Sequence, residues 1–315
     1  MEVTVYEDPA CSWCWAFQPV FTAFAFEFRD LIKVRHVMGG LRDRPAADID
    51  FVVQQWKKAE SVSGMPFDCG IWKKHPLRTT FLACRAVKAA SVLSDIAAHR
   101  LLRRLREALH VEQTPLDDME TVLNLAAEIG LDTEMMKENI ASGRAEALFA
   151  RDRAEACQHG FGFPTMVLRN SFQDMPAVLQ GAVPYTDILQ ALSNLGVAPK
   201  QRRRFRDSKE HWSILFKIHP RLTFAEIHAI TSLDKSKLAA RLAEAGVEHR
   251  EPFYVLKETA KPHHVPAHAA AAPKTPSATI PSAAEDSGHA AASVFTTSPS
   301  PSPIHPSPGA KPTHG

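Results

Sequence analysis

The sequence predicts an α/β fold that opens on a β-α-β unit, carries a large all-helical insertion, and returns to strands before a small C-terminal module. Three observations predict it. Val3 and Val5 alternate with Thr4 and Tyr6 in the period of a strand, which Asp8-Pro9 breaks. After Cys14 the period changes, and Phe17, Val20, Phe21, Phe24 and Phe28 recur at steps of three and four, one apolar stripe of a helix. Strand-like sequence returns beyond the helical stretches at Thr165-Met166-Val167-Leu168, behind the punctuation of Gly160-Phe161-Gly162-Phe163-Pro164.

Between the first strand and its helix stands Cys11-Ser12-Trp13-Cys14. The spacing places Cys11 at a helix start, where unpaired backbone N–H groups and the helix dipole favour an anion. Thiols so placed titrate at roughly 3.5–7.5. A second thiol two residues on is positioned to attack a mixed disulfide formed at the first, so Cys11 is the expected nucleophile and Cys14 the resolving thiol. The competing reading, half of a zinc site, lacks a second close pair: Cys69, Cys84 and Cys157 are scattered and are expected to be buried and inert. No metal and no cofactor are expected.

Further along, Leu31 to Val37 reads as the second strand, ended by Gly39-Gly40. Helices follow over about 45–159: Asp48 to Ser61, then stripes through Leu82–Leu93, Leu102–Leu109 and Met119–Ile129, then two short helices between Thr133 and His159. A last strand near Val178-Leu179-Gln180 and a helix carrying Ile188, Leu189, Leu192 and Leu195 close the first domain, residues 1–198.

The order of elements resembles the DsbA-like branch of the thioredoxin superfamily, above all its FrnE-like and cytoplasmic disulfide-isomerase members. The resemblance covers about residues 1–196. It is carried by Asp8-Pro9-Ala10-Cys11-Ser12-Trp13-Cys14-Trp15, Gly39-Gly40-Leu41, His75-Pro76-Leu77-Arg78-Thr79-Thr80 with Ala83-Cys84-Arg85-Ala86, and Gly162-Phe163-Pro164-Thr165. It implies a thioredoxin fold, with Pro164 as a cis-proline facing the cysteine pair and the Phe163–Thr165 backbone beside a bound substrate strand. Such relatives commonly place a buried acid six residues before the nucleophile, where this chain has Val5. Glu7 and Asp8 are the substitutes at hand, although the turn signal at Asp8-Pro9 reads them as solvated loop carboxylates. Trp13 is expected to offer substrate an apolar docking surface, and Trp15 to pack inside.

Lys200 to Arg206 reads as a solvated basic linker (199–206), followed by a small winged-helix-like module over 207–257. That module is expected to be accessory to the chemistry. Residues 258–315, rich in Ala, Pro, Ser and His, cannot bury enough apolar surface to order themselves and are expected to be disordered. With 37 basic against 35 acidic residues in 315, no global charge recruits nucleic acid or membrane. A start directly on a strand and the absence of a long apolar run point to a cytoplasmic protein. The expected activity is that of an enzyme, a thiol–disulfide oxidoreductase, reductase or isomerase. Its expected partners are disulfide-containing or thiol proteins, with glutathione or another thiol as reductant. The alternatives are a non-enzymatic adaptor that delivers protein substrates, and a glutathione-transferase-kappa-like isomerase.

Overall fold

Strand β1 (Glu2–Glu7) runs through the middle of a four-stranded sheet in the order β2-β1-β3-β4, in a computed structural model that describes residues 1–256. It is parallel to β2 (Lys33–Met38) and antiparallel to β3 (Thr165–Arg169), which pairs in turn with antiparallel β4 (Ala177–Gln180). The register sets Val5 between His36 and Met166. The expected disordered tail lies outside the described residues.

The single helix expected after Cys11 is two helices. α1 (Ser12–Ala16) stops at Phe17 and α2 (Gln18–Glu27) starts directly after it. Pro19 is the cause: it has no N–H for the Trp15 carbonyl four residues back, and its ring suits the first turn of a new helix. The stripe itself survives the break, and Phe17, Phe21, Phe24 and Phe28 pack on Val3, Val5, Met166 and Leu168. Helix α10, over Tyr185–Asn194, adds Ile188 and Leu192 to the same core.

Between β2 and β3 lie α3 (Ile49–Ser63), α4 (Ile71–Lys74), α5 (Phe81–Leu93), α6 (Asp95–His110), α7 (Met119–Glu128), α8 (Thr133–Ala141) and α9 (Arg144–His159). Asp48, Ser94, Asp118 and Asp132 cap four of them, each accepting the N–H three residues ahead. Trp56, Ile71, Leu77, Leu101, Leu105 and Phe149 fill the core of this block. The four-residue α4 was not foreseen, being too short for a periodic signal.

Past a 3-10 turn at Pro199–Gln201 come α11 (Lys209–Ile218), β5 (Arg221–Thr223), α12 (Phe224–Thr231), α13 (Lys235–Glu244), β6 (Val247–Arg250) and β7 (Phe253–Leu256). The three strands form a second antiparallel sheet in the order β5-β7-β6. One expectation needs correction here. The basic stretch is not a free solvated hinge: the Arg202 guanidinium reaches the buried Glu27 carboxylate, and the Arg203 N–H donates to the Glu27 carbonyl at 2.7 Å. Nor does the C-terminal module stand apart. Ala23 and Phe26 of α2 are buried against Trp212, Leu215 and Phe216, and Trp15 shares a cluster with Met65 and Phe253.

Candidate active site

The turn into α1 is built by Asp8. Its carboxylate accepts the Ala10 N–H at 2.7 Å and its carbonyl the Cys11 N–H at 3.2 Å. Cys11 is the N-cap, and its sulfur accepts the Cys14 N–H at 3.2 Å, one of the donors a helix start leaves open. The same Sγ lies 3.6 Å from the carbonyl oxygen of Phe163. Both thiols are free in this structure. Both are buried, but Cys11 borders a cleft of about 280 Å³ walled by Trp13, Leu41, Arg42, Phe51, Trp72 and Phe163, and Cys14 does not.

Burial, together with the hydrogen bond and charge of Cys11, pushes the Cys14 thiol well up. The Arg106 guanidinium acts on it in the opposite sense.

The Phe163–Pro164 bond is cis, as the resemblance implied. Of the four residues expected to meet substrate, Trp13 and Phe163 line the cleft. Pro164 and Thr165 are buried next to it, the proline carbonyl accepting the Gly181 N–H and the Thr165 hydroxyl donating to the Gly162 carbonyl, both at 2.7 Å. The ring of Phe163 rests on Gly39: a Cβ there would fall 1.9 Å from Phe163 Cζ, so only glycine admits the ring. Trp13 is held by Gln55, to which its indole N–H donates at 3.3 Å. Trp15 is fully buried, as expected, with its N–H on the Pro66 carbonyl and its ring stacked on His110.

Glu7 and Asp8 are not solvated; both are buried. Arg106 of α6 meets Glu7 at 2.6 Å, and His36 of β2 bonds the other carboxylate oxygen. Burial pushes the Glu7 carboxyl up, but Arg106 and His36 outweigh it and hold it down to about 2. Asp8 has no cation hydrogen-bonded to it: burial raises its pKa, countered by the Thr80 hydroxyl at 2.7 Å, the Leu41 and Ala10 N–H groups and the Cys84 thiol at 3.4 Å.

Sequence reasoning missed Arg106 and His36, because nothing local marks them. Thr80 and Cys84 do lie in a quoted motif, and both side chains reach Asp8. His75 and Arg78 of that motif instead clasp Asp117, at 3.0 and 2.9 Å, and fix the approach to α5. Of the cysteines expected to be buried and inert, only Cys84 is fully buried; Cys69 is half-buried and Cys157 exposed.

The family model described as Thioredoxin matches residues 5–190. Among curated proteins, the chain is 26% identical over 214 residues to the ClpXP adapter protein SpxH of Halalkalibacterium halodurans, covering 64% of this chain and 70% of that protein. The SpxH of Bacillus cereus is 26% identical over 206 residues, 62% of this chain and 68% of its own. Among solved structures, the cytosolic disulfide reductase DsbM from Pseudomonas aeruginosa superimposes with a TM-score of 0.53 at 24% identity, over 63% of this chain and all of that one. That likeness concerns the fold. With the family model covering more than half of its length, the chain belongs to the thioredoxin family, in its DsbA-like form.

Proposed function

We propose that Cys11 and Cys14 carry out thiol–disulfide exchange. The observation that carries this reading is the placement of Cys11 Sγ, which takes the Cys14 N–H on one side, meets the Phe163 carbonyl at 3.6 Å on another, and borders the cleft lined by Trp13 and Phe163. The Cys11 thiolate attacks one sulfur of a substrate disulfide, forming a mixed disulfide and releasing the other sulfur as a thiolate. Burial still raises the Cys14 thiol, but the hydrogen bond and charge of Cys11 that added to it are then gone, while Arg106 remains to favour a thiolate. Cys14 gives up its proton, attacks Cys11 Sγ and frees the second substrate thiol, leaving a Cys11–Cys14 disulfide. Two molecules of a thiol such as glutathione return the pair to dithiol. Trp13, Phe163 and the 163–165 backbone are the surface against which substrate docks. A glutathione complex of the Pseudomonas DsbM is consistent with a low-molecular-weight thiol as reductant, and the cytosolic setting given for that protein with a pair kept reduced.

A second reading is an adaptor that presents a protein client to a protease. The names of the curated relatives favour it, and favour it more directly than they favour a reductase. In this reading the cleft at Cys11 is a binding surface and turnover is secondary. The segment 207–257 is proposed as a winged-helix-like module, its first strand pairing with its last, and 199–206 as the strap that joins it to the thioredoxin domain over 1–198.

Insulin-disulfide reduction by the full chain with a thiol donor separates the readings. The wild type should reduce insulin, Cys11→Ser should lose turnover altogether, and Cys14→Ser should trap a mixed disulfide visible by mass. Equal rates for wild type and Cys11→Ser would leave the adaptor reading alone standing.

A further inference from the structure

Strand β2 ends one side of the main sheet. The Lys33 N–H donates to the Met1 carbonyl and the Gly39 N–H to the Glu7 carbonyl, so odd-numbered residues turn their backbone groups toward β1 and even-numbered ones away from it. Of the outward set, Met38 is covered, its N–H meeting the Asp152 carboxylate at 2.9 Å. The outward N–H and C=O groups of Val34 and His36 have no protein partner among the described residues. Both residues border a groove of about 330 Å³ between β2 and helices α5, α6 and α9.

Val92 and Leu148 give the groove an apolar wall, and four cations, Arg35, Lys88, Arg144 and Arg151, line it against one exposed carboxylate, Asp95 at the start of α6. Arg35 and Lys88 are paired with Glu155 and Asp152. Arg144 and Arg151 are exposed and have no ion-pair partner among the described residues. Seven residues apart on α9, they stand about 10 Å from each other along its axis. An extended chain covers that span in about three residues. Open sheet edges are ordinarily covered, bulged or shortened. This one has unpaired backbone, an apolar wall and two unpaired guanidiniums together.

We propose that the groove takes an extended acidic segment of another protein, which adds to β2 as a fifth strand. Backbone pairing to Val34 and His36 provides the affinity, and Arg144 and Arg151 select carboxylate side chains. The proposal goes beyond the thiol reading and does not depend on Cys11.

Fluorescence anisotropy with the full chain and a labelled octapeptide of alternating Val and Glu tests it. Saturable binding is expected, with none for the Val/Lys peptide. Arg144→Glu with Arg151→Glu should weaken binding about tenfold or more, the sum of two exposed ion pairs lost and reversed. Methylating alternate peptide nitrogens should abolish binding for one set and leave it for the other, because a strand added at an edge turns only every second N–H toward it. Cys11→Ser should bind as the wild type does, so a failed insulin assay leaves this result independent. Absence of saturable binding overturns the proposal, as does indifference to both methylation patterns, which would mean ionic contact alone. Tighter binding of an oligonucleotide of equal charge, or a dimer that Arg144→Glu and Arg151→Glu dissolve, would assign the groove to a different occupant.

Discussion

Glu7 and Asp8 are adjacent and equally buried, yet the first is held ionised by Arg106 and His36 while the second is pushed toward its neutral form. The difference lies in what the fold brings to each one, and it has consequences in solution. Glu7 titrates near 2 in the fold against 4.5 ordinarily, so its contribution is present above about 4.5 and is lost as pH falls toward 2. Burial, with His36 beside it, lowers His99 from 6.5 to about 3, and burial does the same to His110. For these bases the unfolded chain binds protons that the fold refuses between 6.5 and about 3, so stability falls as pH drops through that window. Acid unfolding should therefore begin near pH 6, with a slope of roughly 1.4 kcal/mol per pH unit for each histidine. Denaturant melts from pH 7 to 4 measure it, and His110→Phe, which keeps a ring between Trp15 and Trp56, should make the slope shallower. A stability flat from pH 7 to 5 would mean that these histidines admit protons in the fold. At the cleft, Gly39→Ala should push the Phe163 ring aside. The ring is half-exposed and free to move outward, so the protein should stay folded and lose insulin-reductase activity about tenfold, mainly through KM. Unchanged kinetics would remove Phe163 from the docking surface.

At the scale of elements, the parts legible in the sequence are those whose causes are local. Strand β1 alternates, the cysteine pair follows a turn that Asp8-Pro9 announces, and the caps Asp48, Ser94, Asp118 and Asp132 start helices where the periodicity resumes. The break at Pro19 was legible too, but the continuous aromatic stripe masked it, because the apolar period runs on across the kink while the backbone hydrogen bonds do not. What could not be read was set from a distance. The burial of Glu7 depends on Arg106, 99 residues away, and that of Asp8 on Thr80, 72 residues away. The same holds for α2. Its stripe announced one buried face, but Ala23 and Phe26 between the stripe positions are buried as well, and a helix buried all round implies a second layer of protein on it. That second layer is the C-terminal module, whose own sequence shows only short helices and charged turns.

For the molecule as a whole, the question is whether the cysteine-bearing fold stands without residues beyond Ala198. A module merely accessory to the chemistry would be dispensable to folding, and the contacts argue otherwise. Removing the module bares Phe26 and Trp15, both essentially buried, and with them Met65. It also takes away Glu226, whose carboxylate meets the buried Arg103 of α6 at 2.9 Å and the Thr22 hydroxyl of α2 at 3.3 Å. Arg103 keeps Glu107 of its own helix, and Arg221 of β5 also pairs with Glu107, but Glu226 is the carboxylate that meets both α6 and α2 from the module. A chain ending at Ala198 should therefore be insoluble or melt far below the full chain. Because truncation exposes apolar surface and breaks the ion pair together, point variants divide the two causes. Glu226→Ala leaves a buried guanidinium short of a partner and should destabilise the full chain by about 3–5 kcal/mol. Arg103→Met combined with Glu226→Met replaces the pair by apolar groups of similar length and should recover most of that loss. If the truncated chain is soluble, melts with the full protein and reduces insulin at the same rate, the module is an appendage and α2 needs no second layer. If it aggregates while the Met pair folds, apolar covering of α2 is what the C-terminal module contributes to the redox domain, and the ion pair fixes only how it sits.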